Sequence, residues 1–159
     1  MAESLNVQGS SRKEKYESLL PQIMALVEGE TDRIANISNI VAALRFGLGF
    51  FWVGVYFVRG EELVLGPFQG PVACTRIGKG KGVCGYSFSI GKTVIVKDVE
   101  QFPGHIACSS LSKSEIVVPV FNKAGQMEMV LDVDSEELSD FDEVDQHYLE
   151  QLAHLIGKL

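Results

Sequence analysis

The feature that most constrains the fold of this chain is a predicted β-hairpin in its C-terminal third. Two strand-like runs, Glu115–Phe121 and Gln126–Val133, flank the segment Asn122-Lys123-Ala124-Gly125. Runs of this kind, bounded by Asn and Gly, are typical of antiparallel strands joined by a short loop. We therefore expect two adjacent antiparallel strands here.

The loop length predicts the register of this hairpin. If the four-residue loop pairs positions symmetrically, one face of the hairpin is purely apolar and consists of Ile116, Val118, Val120, Met127, Met129 and Leu131. A shift by one residue would mix apolar and polar side chains on each face, so the symmetric register is favoured. It predicts that Glu115 lies opposite Asp132, with Asp134 two residues further along the same face.

Helical periodicity is present on both sides of the strand-like region. We expect Ser11, Thr31 and Ser139 to cap the first, second and last helices. Residues 50–58 are apolar on both faces, which indicates a central strand. Two or three helices flanking one largely antiparallel sheet define an α+β fold.

Length and charge restrict the kind of protein this is. At 159 residues the chain suits one domain, which we place at residues 12–159 after a disordered segment 1–11. A net charge of −7 argues against nucleic-acid binding. We see no apolar run of the roughly 18 residues that cross a membrane, and no secretory signal. The expectation is a cytoplasmic protein without a membrane partner.

Three cysteines lie in the middle of the chain. Nine residues separate Cys74 from Cys84, and 23 separate Cys84 from Cys108. These spacings match no Cys-x-x-Cys zinc pattern, and an odd number of cysteines in a cytosolic chain argues against a structural disulfide framework. We expect no metal and no cofactor. Reactive thiols and plain buried thiols both remain open.

The carboxyl groups of Glu115, Asp132 and Asp134 form a second candidate cluster. In a dry site, one such carboxyl would stay protonated near neutral pH and could act as a general acid. The alternative is three carboxylates that point into solvent at a strand end. Trp52 shares a face with Gly54 and Tyr56, which suits either core packing or an aromatic wall for a small methylated or sulfur-bearing ligand.

The segment between Cys74 and Cys84 carries two weaker patterns. Gly80-x-Gly82-x-x-Gly85 matches the dinucleotide fingerprint formally, but it lacks the strong preceding strand and the βαβ context. The basic residues Arg76, Lys79 and Lys81 are too few for a nucleic-acid surface, although they suit one small anion.

Longer motifs carry a family resemblance that covers nearly the whole chain. The segments are Phe51-Trp52-Val53-Gly54-Val55-Tyr56, Gly66-Pro67-Phe68-Gln69-Gly70, Cys74-Thr75-Arg76-Ile77, Gly80-Lys81-Gly82-Val83-Cys84-Gly85, Ser114-Glu115-Ile116-Val117-Val118-Pro119 and Leu131-Asp132-Val133-Asp134-Ser135. Together with the loop around Cys108, they closely resemble the free methionine-R-sulfoxide reductases, which are GAF-domain enzymes. The three cysteines with their spacing are the most specific part of this resemblance.

The resemblance implies a GAF fold and the reduction of free L-methionine-R-sulfoxide to methionine. It implies that Cys108 is the catalytic nucleophile, that Cys74 closes a disulfide with it, and that Cys84 is an auxiliary cysteine. Thioredoxin or a similar dithiol would reduce that disulfide. The implied substrate-binding residues are Trp52, Tyr56, Glu115, Asp132 and Asp134.

Two other functions remain open from the residues. One is a non-enzymatic GAF module that binds a small ligand or senses redox state through Cys74 and Cys108. The other is a structural domain that forms a homodimer through apolar surface on the first two helices.

Overall fold

The computed structural model describes residues 4–106 and 109–159, so Cys108 lies outside the described residues. Within these ranges the helices are α1 (Arg12–Val27), α2 (Arg33–Leu48), α3 (Gly82–Ile90) and α4 (Glu143–Lys158). The strands are β1 (Trp52–Arg59), β2 (Glu62–Gln69), β3 (Arg76–Gly78), β4 (Val94–Val96), β5 (Ser114–Phe121) and β6 (Met127–Ser135). A single 3₁₀ turn, Val99–Gln101, follows β4.

The six described strands form one sheet in the order β3-β2-β1-β6-β5-β4, with every neighbouring pair antiparallel. Strands β1 and β6 lie at the centre, and this agrees with the apolar residues on both faces of residues 50–58. The predicted α+β fold, with a largely antiparallel sheet between helices, is therefore confirmed.

The two faces of the sheet are covered differently. Helices α1, α2 and α4 pack on one face, where Val53 and Val55 of β1 meet Ile116 of β5 in the larger hydrophobic core. Helix α3 packs on the opposite face with a smaller apolar cluster that includes Trp52 and Tyr56. Because side chains alternate along a strand, the even-numbered positions of β1 point towards α3.

The register of the β5–β6 hairpin differs from the predicted one by two residues. Glu115 lies opposite Asp134, and Val117 lies opposite Asp132, so the predicted Glu115–Asp132 pair is wrong. An irregularity between Val120 and Phe121 breaks the symmetry of the hairpin near its turn. A shift of two keeps the same side chains on each face, and the apolar face of the hairpin is therefore still buried.

The helix starts are only partly as predicted. Ser11 caps α1 with a complete capping box. Helices α2 and α4 begin one and three residues later than predicted, with Asp32 and Asp142 as caps instead of Thr31 and Ser139. Aspartate adds a negative charge at the positive end of the helix dipole, which a hydroxyl does not.

The N-terminal segment runs along α1. The Asn6 backbone N–H donates to Gln22 Oε1 at 2.8 Å, and the Gln8 N–H donates to Ser18 Oγ at 3.0 Å. The described part of residues 1–11 is thus held by hydrogen bonds, in contrast to the expected disorder. Among the described residues, no helix has both the length and the apolar character that a membrane span requires.

Candidate functional site

A small cavity lies between the first turn of α3 and the ends of the central strands. It encloses about 50 Å³, several times the space that one water molecule needs. Its walls include six residues that the sequence analysis singled out: Trp52, Tyr56, Cys84, Glu115, Asp132 and Asp134. The tertiary structure therefore brings most of the predicted site residues together.

Strand pairing explains how the three carboxyl groups meet. Asp132 and Asp134 lie two residues apart on β6 and share a face, and Glu115 of β5 lies directly opposite Asp134. Glu115 and Asp132 are only 7% and 6% exposed, so these carboxyls do not point into solvent. Gly54 of β1 lies beside Asp132 on the other side of β6.

Burial sets the protonation of this cluster. Loss of hydration raises the pKa of Glu115 well above its usual range, and the charges of Asp132 and Asp134 raise it further. Burial raises the pKa of Asp132 to about 6. Burial, together with the Asp132 charge, also raises the pKa of Asp134 well above its usual range. Burial therefore shifts all three carboxyl groups of the cavity towards the protonated form.

Helix α3 brings a thiol into contact with these acids. The Cys84 Sγ–H donates to Glu115 Oε1 at 3.8 Å, and Cys84 is buried as a free thiol. Burial and the nearby carboxylates raise the pKa of Cys84 well above its usual value. A thiol in this setting stays protonated and is a poor nucleophile.

Two aromatic side chains form the opposite wall of the cavity. The Trp52 Nε1–H donates to the Pro71 carbonyl at 3.0 Å, and the Tyr56 hydroxyl donates to the Cys74 carbonyl at 3.1 Å. Both rings are nearly fully buried, and their polar ends are satisfied by the loop before β3. These hydrogen bonds fix the orientation of the two rings towards the cavity.

The space beside Gly54 is occupied by protein and not left for a ligand. A Cβ atom at Gly54 would lie 2.4 Å from the Trp52 ring and 2.5 Å from Phe68 Cβ. Trp52 and Phe68 stack with ring centroids 5.4 Å apart. Gly54 therefore allows the indole to lie flat across β1.

The glycine pattern before α3 has a structural explanation. A Cβ atom at Gly85 would lie 2.4 Å from the Gly78 carbonyl oxygen, and the Gly80 N–H donates to the Gly85 carbonyl at 2.8 Å. Gly82 has a φ of 59°, in the left-handed region. These glycines let α3 start directly against the preceding loop. Since the sheet is antiparallel throughout, the βαβ unit of a dinucleotide site is absent from the described chain.

The three basic residues of this segment do not act as a cluster. Arg76 pairs with Glu62 at 3.0 Å, and Lys79 pairs with Glu61 at 3.2 Å. Lys81 instead lines the cavity at the first turn of α3.

Of the remaining two cysteines, only Cys74 lies among the described residues. Cys74 is half-buried in the loop before β3 and is disulfide-bonded. Cys108 lies outside the described residues, and the predicted Cys74–Cys108 pairing therefore does as well. The roles assigned to the three cysteines remain predictions.

Sequence reasoning did not place several further cavity residues. Lys81, His105 and Ser112 line the cavity, and His105 Nδ1 is buried without a hydrogen-bond partner among the described residues. His105 and Ser112 come from a segment without periodicity, so no pattern could predict where their side chains lie. Lys81 was predicted only as one of three basic residues that suit a small anion, and its place in the cavity wall was not predicted.

Comparison with known proteins agrees with this architecture. Residues 36–159 match the GAF domain family. GAF domain-containing protein A of Dictyostelium discoideum is 59% identical over 98% of this chain and 99% of its own length. Free methionine-R-sulfoxide reductase of Saccharomyces cerevisiae is 40% identical over 99% of this chain and 92% of its own.

A solved structure gives the same result. Free methionine-R-sulfoxide reductase from Neisseria meningitidis, determined in complex with its substrate, superposes with a TM-score of 0.93 at 51% identity. The superposition covers 97% of this chain and 93% of that one.

The sheet, the α3 layer and the buried thiol–carboxyl cavity together define a GAF domain with an internal cavity. Within that class, the chain belongs to the free methionine-R-sulfoxide reductase family, whose members are oxidoreductases.

Proposed function

We propose that this protein reduces free L-methionine-R-sulfoxide to methionine. The observation that carries the proposal is the cavity in which Glu115, Asp132 and Asp134 are held with raised pKa values beside Trp52. Sulfoxide reduction needs a proton on the departing oxygen, and a buried protonated carboxyl supplies it. Family membership provides the substrate class.

The first chemical step uses Cys108. Its thiolate attacks the sulfoxide sulfur, and a carboxyl of the acidic cluster donates a proton to the sulfoxide oxygen. The oxygen is transferred to Cys108 as a sulfenic acid, and the sulfur leaves as the thioether of methionine. Cys84 is a poor candidate for this attack, because burial keeps its thiol protonated.

The second step restores the thiol. The Cys74 thiolate attacks the Cys108 sulfenic acid, a disulfide forms, and water leaves. Thioredoxin or a similar external dithiol then reduces the disulfide and becomes oxidised itself. Cys84, the auxiliary cysteine, is a less reactive alternative partner for the sulfenic acid, because burial keeps its thiol protonated.

The charges of the cavity suit a free amino acid. Carboxylates of the acidic cluster can hold its ammonium group. The first turn of α3 contributes Gly82, Val83 and Cys84 to the cavity wall. The Gly82 N–H already donates to the Gly104 carbonyl at 3.2 Å, whereas the Val83 and Cys84 N–H groups have no partner within the helix. Those N–H groups, with Lys81 nearby, suit the substrate carboxylate. A peptide-linked methionine lacks both charges, so the cavity should discriminate against it.

The decisive experiment measures methionine release from the separate R and S epimers of free methionine sulfoxide, with thioredoxin recycling. We expect turnover of the R epimer only, and its loss in Cys108→Ser. Failure of the fully reduced protein to turn over either epimer would overturn the proposal. The ligand-binding or redox-sensing GAF module would then be the better account.

Replacement of Glu115 tests the acid. Glu115→Gln should lower turnover of the free R epimer by about 10²- to 10⁴-fold, the usual contribution of a positioned general acid. Glu136→Gln is the matched control, since Glu136 is exposed after the end of β6, and it should retain wild-type turnover. A Glu115→Gln variant that keeps full activity would exclude Glu115 as the proton donor. A redox sensor, by contrast, should still form its disulfide in this variant.

Two further predictions concern assembly and location. Met24, Ile34 and Phe46 are large apolar side chains exposed on α1 and α2, at 59%, 52% and 73%. They are the surface on which a homodimer would form, and light scattering of the purified protein tests it.

A cytoplasmic location also remains a prediction.

A further inference from the structure

We propose that the reduced protein binds a Zn²⁺ ion through Cys84, Glu115 and Asp132. The site lies in the cavity proposed for the substrate, so metal and substrate should exclude each other. That exclusion, unlike the metal binding, depends on the proposed function.

The distances among the three side chains are close to those of a zinc site. Cys84 Sγ and one carboxylate oxygen each of Glu115 and Asp132 all lie within 4.8 Å of one another, and Cys84 Sγ lies 3.8 Å from Glu115 Oε1. Zinc–sulfur and zinc–oxygen bonds place neighbouring tetrahedral ligands roughly 3.4–3.6 Å apart. A small inward rotation of the side chains therefore brings all three onto one ion.

An unsatisfied buried oxygen points independently to a ligand. Asp132 is 6% exposed, lines the cavity, and its Oδ1 is buried without a hydrogen-bond partner among the described residues. A buried carboxylate oxygen without a donor is unfavourable unless a cation or a donor group reaches it. A metal ion bound between Cys84 and Glu115 would supply that partner.

The donor set selects the type of metal. One sulfur and two carboxylate oxygens suit a borderline-soft ion such as Zn²⁺ better than Mg²⁺ or Ca²⁺, which prefer oxygen alone. The three ligands come from α3, β5 and β6, so no short sequence motif contains all of them. Three protein ligands leave a fourth position for water.

Charge and proton balance follow from the ligands. Each ligand that is protonated before binding releases its proton to solvent, and the thiolate with two carboxylates then carries three negative charges against the two positive charges of the ion. Because each ligand binds the ion in its deprotonated form, zinc binding should strengthen as the pH rises. The other titratable groups facing the cavity are Tyr56, Lys81, His105 and Asp134.

Equilibrium dialysis of Zn²⁺ against the reduced chain, free of small thiols and oxygen, tests the site. We expect one ion per chain. Cobalt should bind in its place with a thiolate-to-metal charge-transfer band. Loss of a residue that only hydrogen-bonds a metal ligand costs about 10- to 100-fold in metal affinity. Cys84→Ser removes a ligand itself, so its Zn²⁺ affinity should fall by at least that factor. Its cobalt complex should also lack the charge-transfer band. Glu115→Gln should weaken binding while keeping the band.

Cys74→Ser is the matched control, because it makes the same replacement at a cysteine outside the three ligands, and it should bind Zn²⁺ like wild type. Circular dichroism of each variant separates loss of a ligand from loss of the fold. Wild-type affinity in folded Cys84→Ser, or a cobalt band that depends on Cys108 instead, overturns the inference. Because binding is measured without turnover, a failed reductase assay leaves the zinc result interpretable, and the reverse also holds.

Discussion

At the scale of single residues, the cavity works by holding acids where water cannot hydrate them. Glu115 and Asp132 are buried next to each other and next to the Cys84 thiol, without a cation among their described partners. Such an arrangement favours the protonated forms, which is useful for proton donation and unfavourable for stability above neutral pH. The site residues should therefore show a measurable conflict between function and stability.

Asp132→Asn should reveal this conflict. The folded pKa of Asp132, about 6, lies above its ordinary value of 3.8, so its stabilising contribution is complete below the ordinary value and is lost as the pH rises through 6. A shift of about two units corresponds to about 3 kcal/mol. Compared with wild type, the variant should gain about 2–3 kcal/mol in free energy of unfolding between pH 4 and pH 8.

Urea denaturation across this pH range measures that difference. The exposed-site variant Glu136→Gln should show no such pH-dependent gain over wild type. If the difference in free energy of unfolding between Asp132→Asn and wild type is the same at pH 4 and pH 8, then burial does not raise the pKa of Asp132.

At the scale of elements, α3 is the piece that converts a sheet face into a cavity. It starts directly against the loop after β3 and carries Cys84 towards β5 and β6. Its first turn also presents the N–H groups proposed for the substrate carboxylate. Close contact between Gly85 and the Gly78 carbonyl sets how near the helix comes to the loop.

Gly85→Ala should disturb this contact. The new methyl group would lie 2.4 Å from a backbone oxygen, which cannot rotate away as a side chain can. We expect a loss of about 1–3 kcal/mol in the free energy of unfolding, together with weaker binding in the cavity. Denaturation and Zn²⁺ dialysis measure the two effects.

Gly78→Ala is a suitable control for this helix shift. Its added Cβ would meet only Lys81 Cγ, at 3.5 Å, which is ordinary contact. Equal losses in the two variants would show that the Gly85 contact does not position α3.

At the scale of the whole molecule, a polar network ties the two ends of the chain together beside the sheet. Arg12 Nη1 donates to Asp145 Oδ1 at 2.8 Å, and Arg12 Nη2 donates to Asp140 Oδ1 at 2.7 Å. The Tyr16 hydroxyl also donates to Asp145 Oδ1, at 2.8 Å, and Asp145 is 1% exposed. Asp140 in turn accepts from Ser135 Oγ at the end of β6.

Arg12→Met should therefore destabilise the whole domain. Removal of the cation leaves the buried Asp145 carboxylate without its charge partner, which costs about 3–5 kcal/mol in fully buried pairs. Arg12 is partly exposed, so we expect about 2–4 kcal/mol, with part of the loss recovered in the double variant Arg12→Met/Asp145→Asn. Chemical denaturation of both variants provides the measurement.

The neighbouring Lys13→Met serves as the comparison. Lys13 pairs with Glu17 at 3.8 Å on an exposed surface, and its loss should change stability by less than about 0.5 kcal/mol. An Arg12→Met variant as mild as Lys13→Met would mean that this network does not hold α1 to α4.

Periodicity alone was sufficient for the architecture. Alternation along β5 and β6 predicted the buried face of the hairpin, and apolar residues on both faces of residues 50–58 predicted a central strand. It was not sufficient for the register, since a shift of two residues preserves every inward-facing side chain and is invisible to alternation. The caps of α2 and α4 were misplaced for a similar reason, because several adjacent residues can each serve as a cap.

The chemistry of the cavity depends on contacts between distant parts of the chain. Trp52, Cys84, Glu115 and Asp132 were each candidates on their own, and the family resemblance grouped them, but no spacing rule joins them. Their proximity follows from strand order, with β6 between β1 and β5, and from the packing of α3 on that face. The sequence therefore determined which residues are capable of the chemistry. The tertiary structure decided their hydration, because burial is a property of all the surrounding elements together.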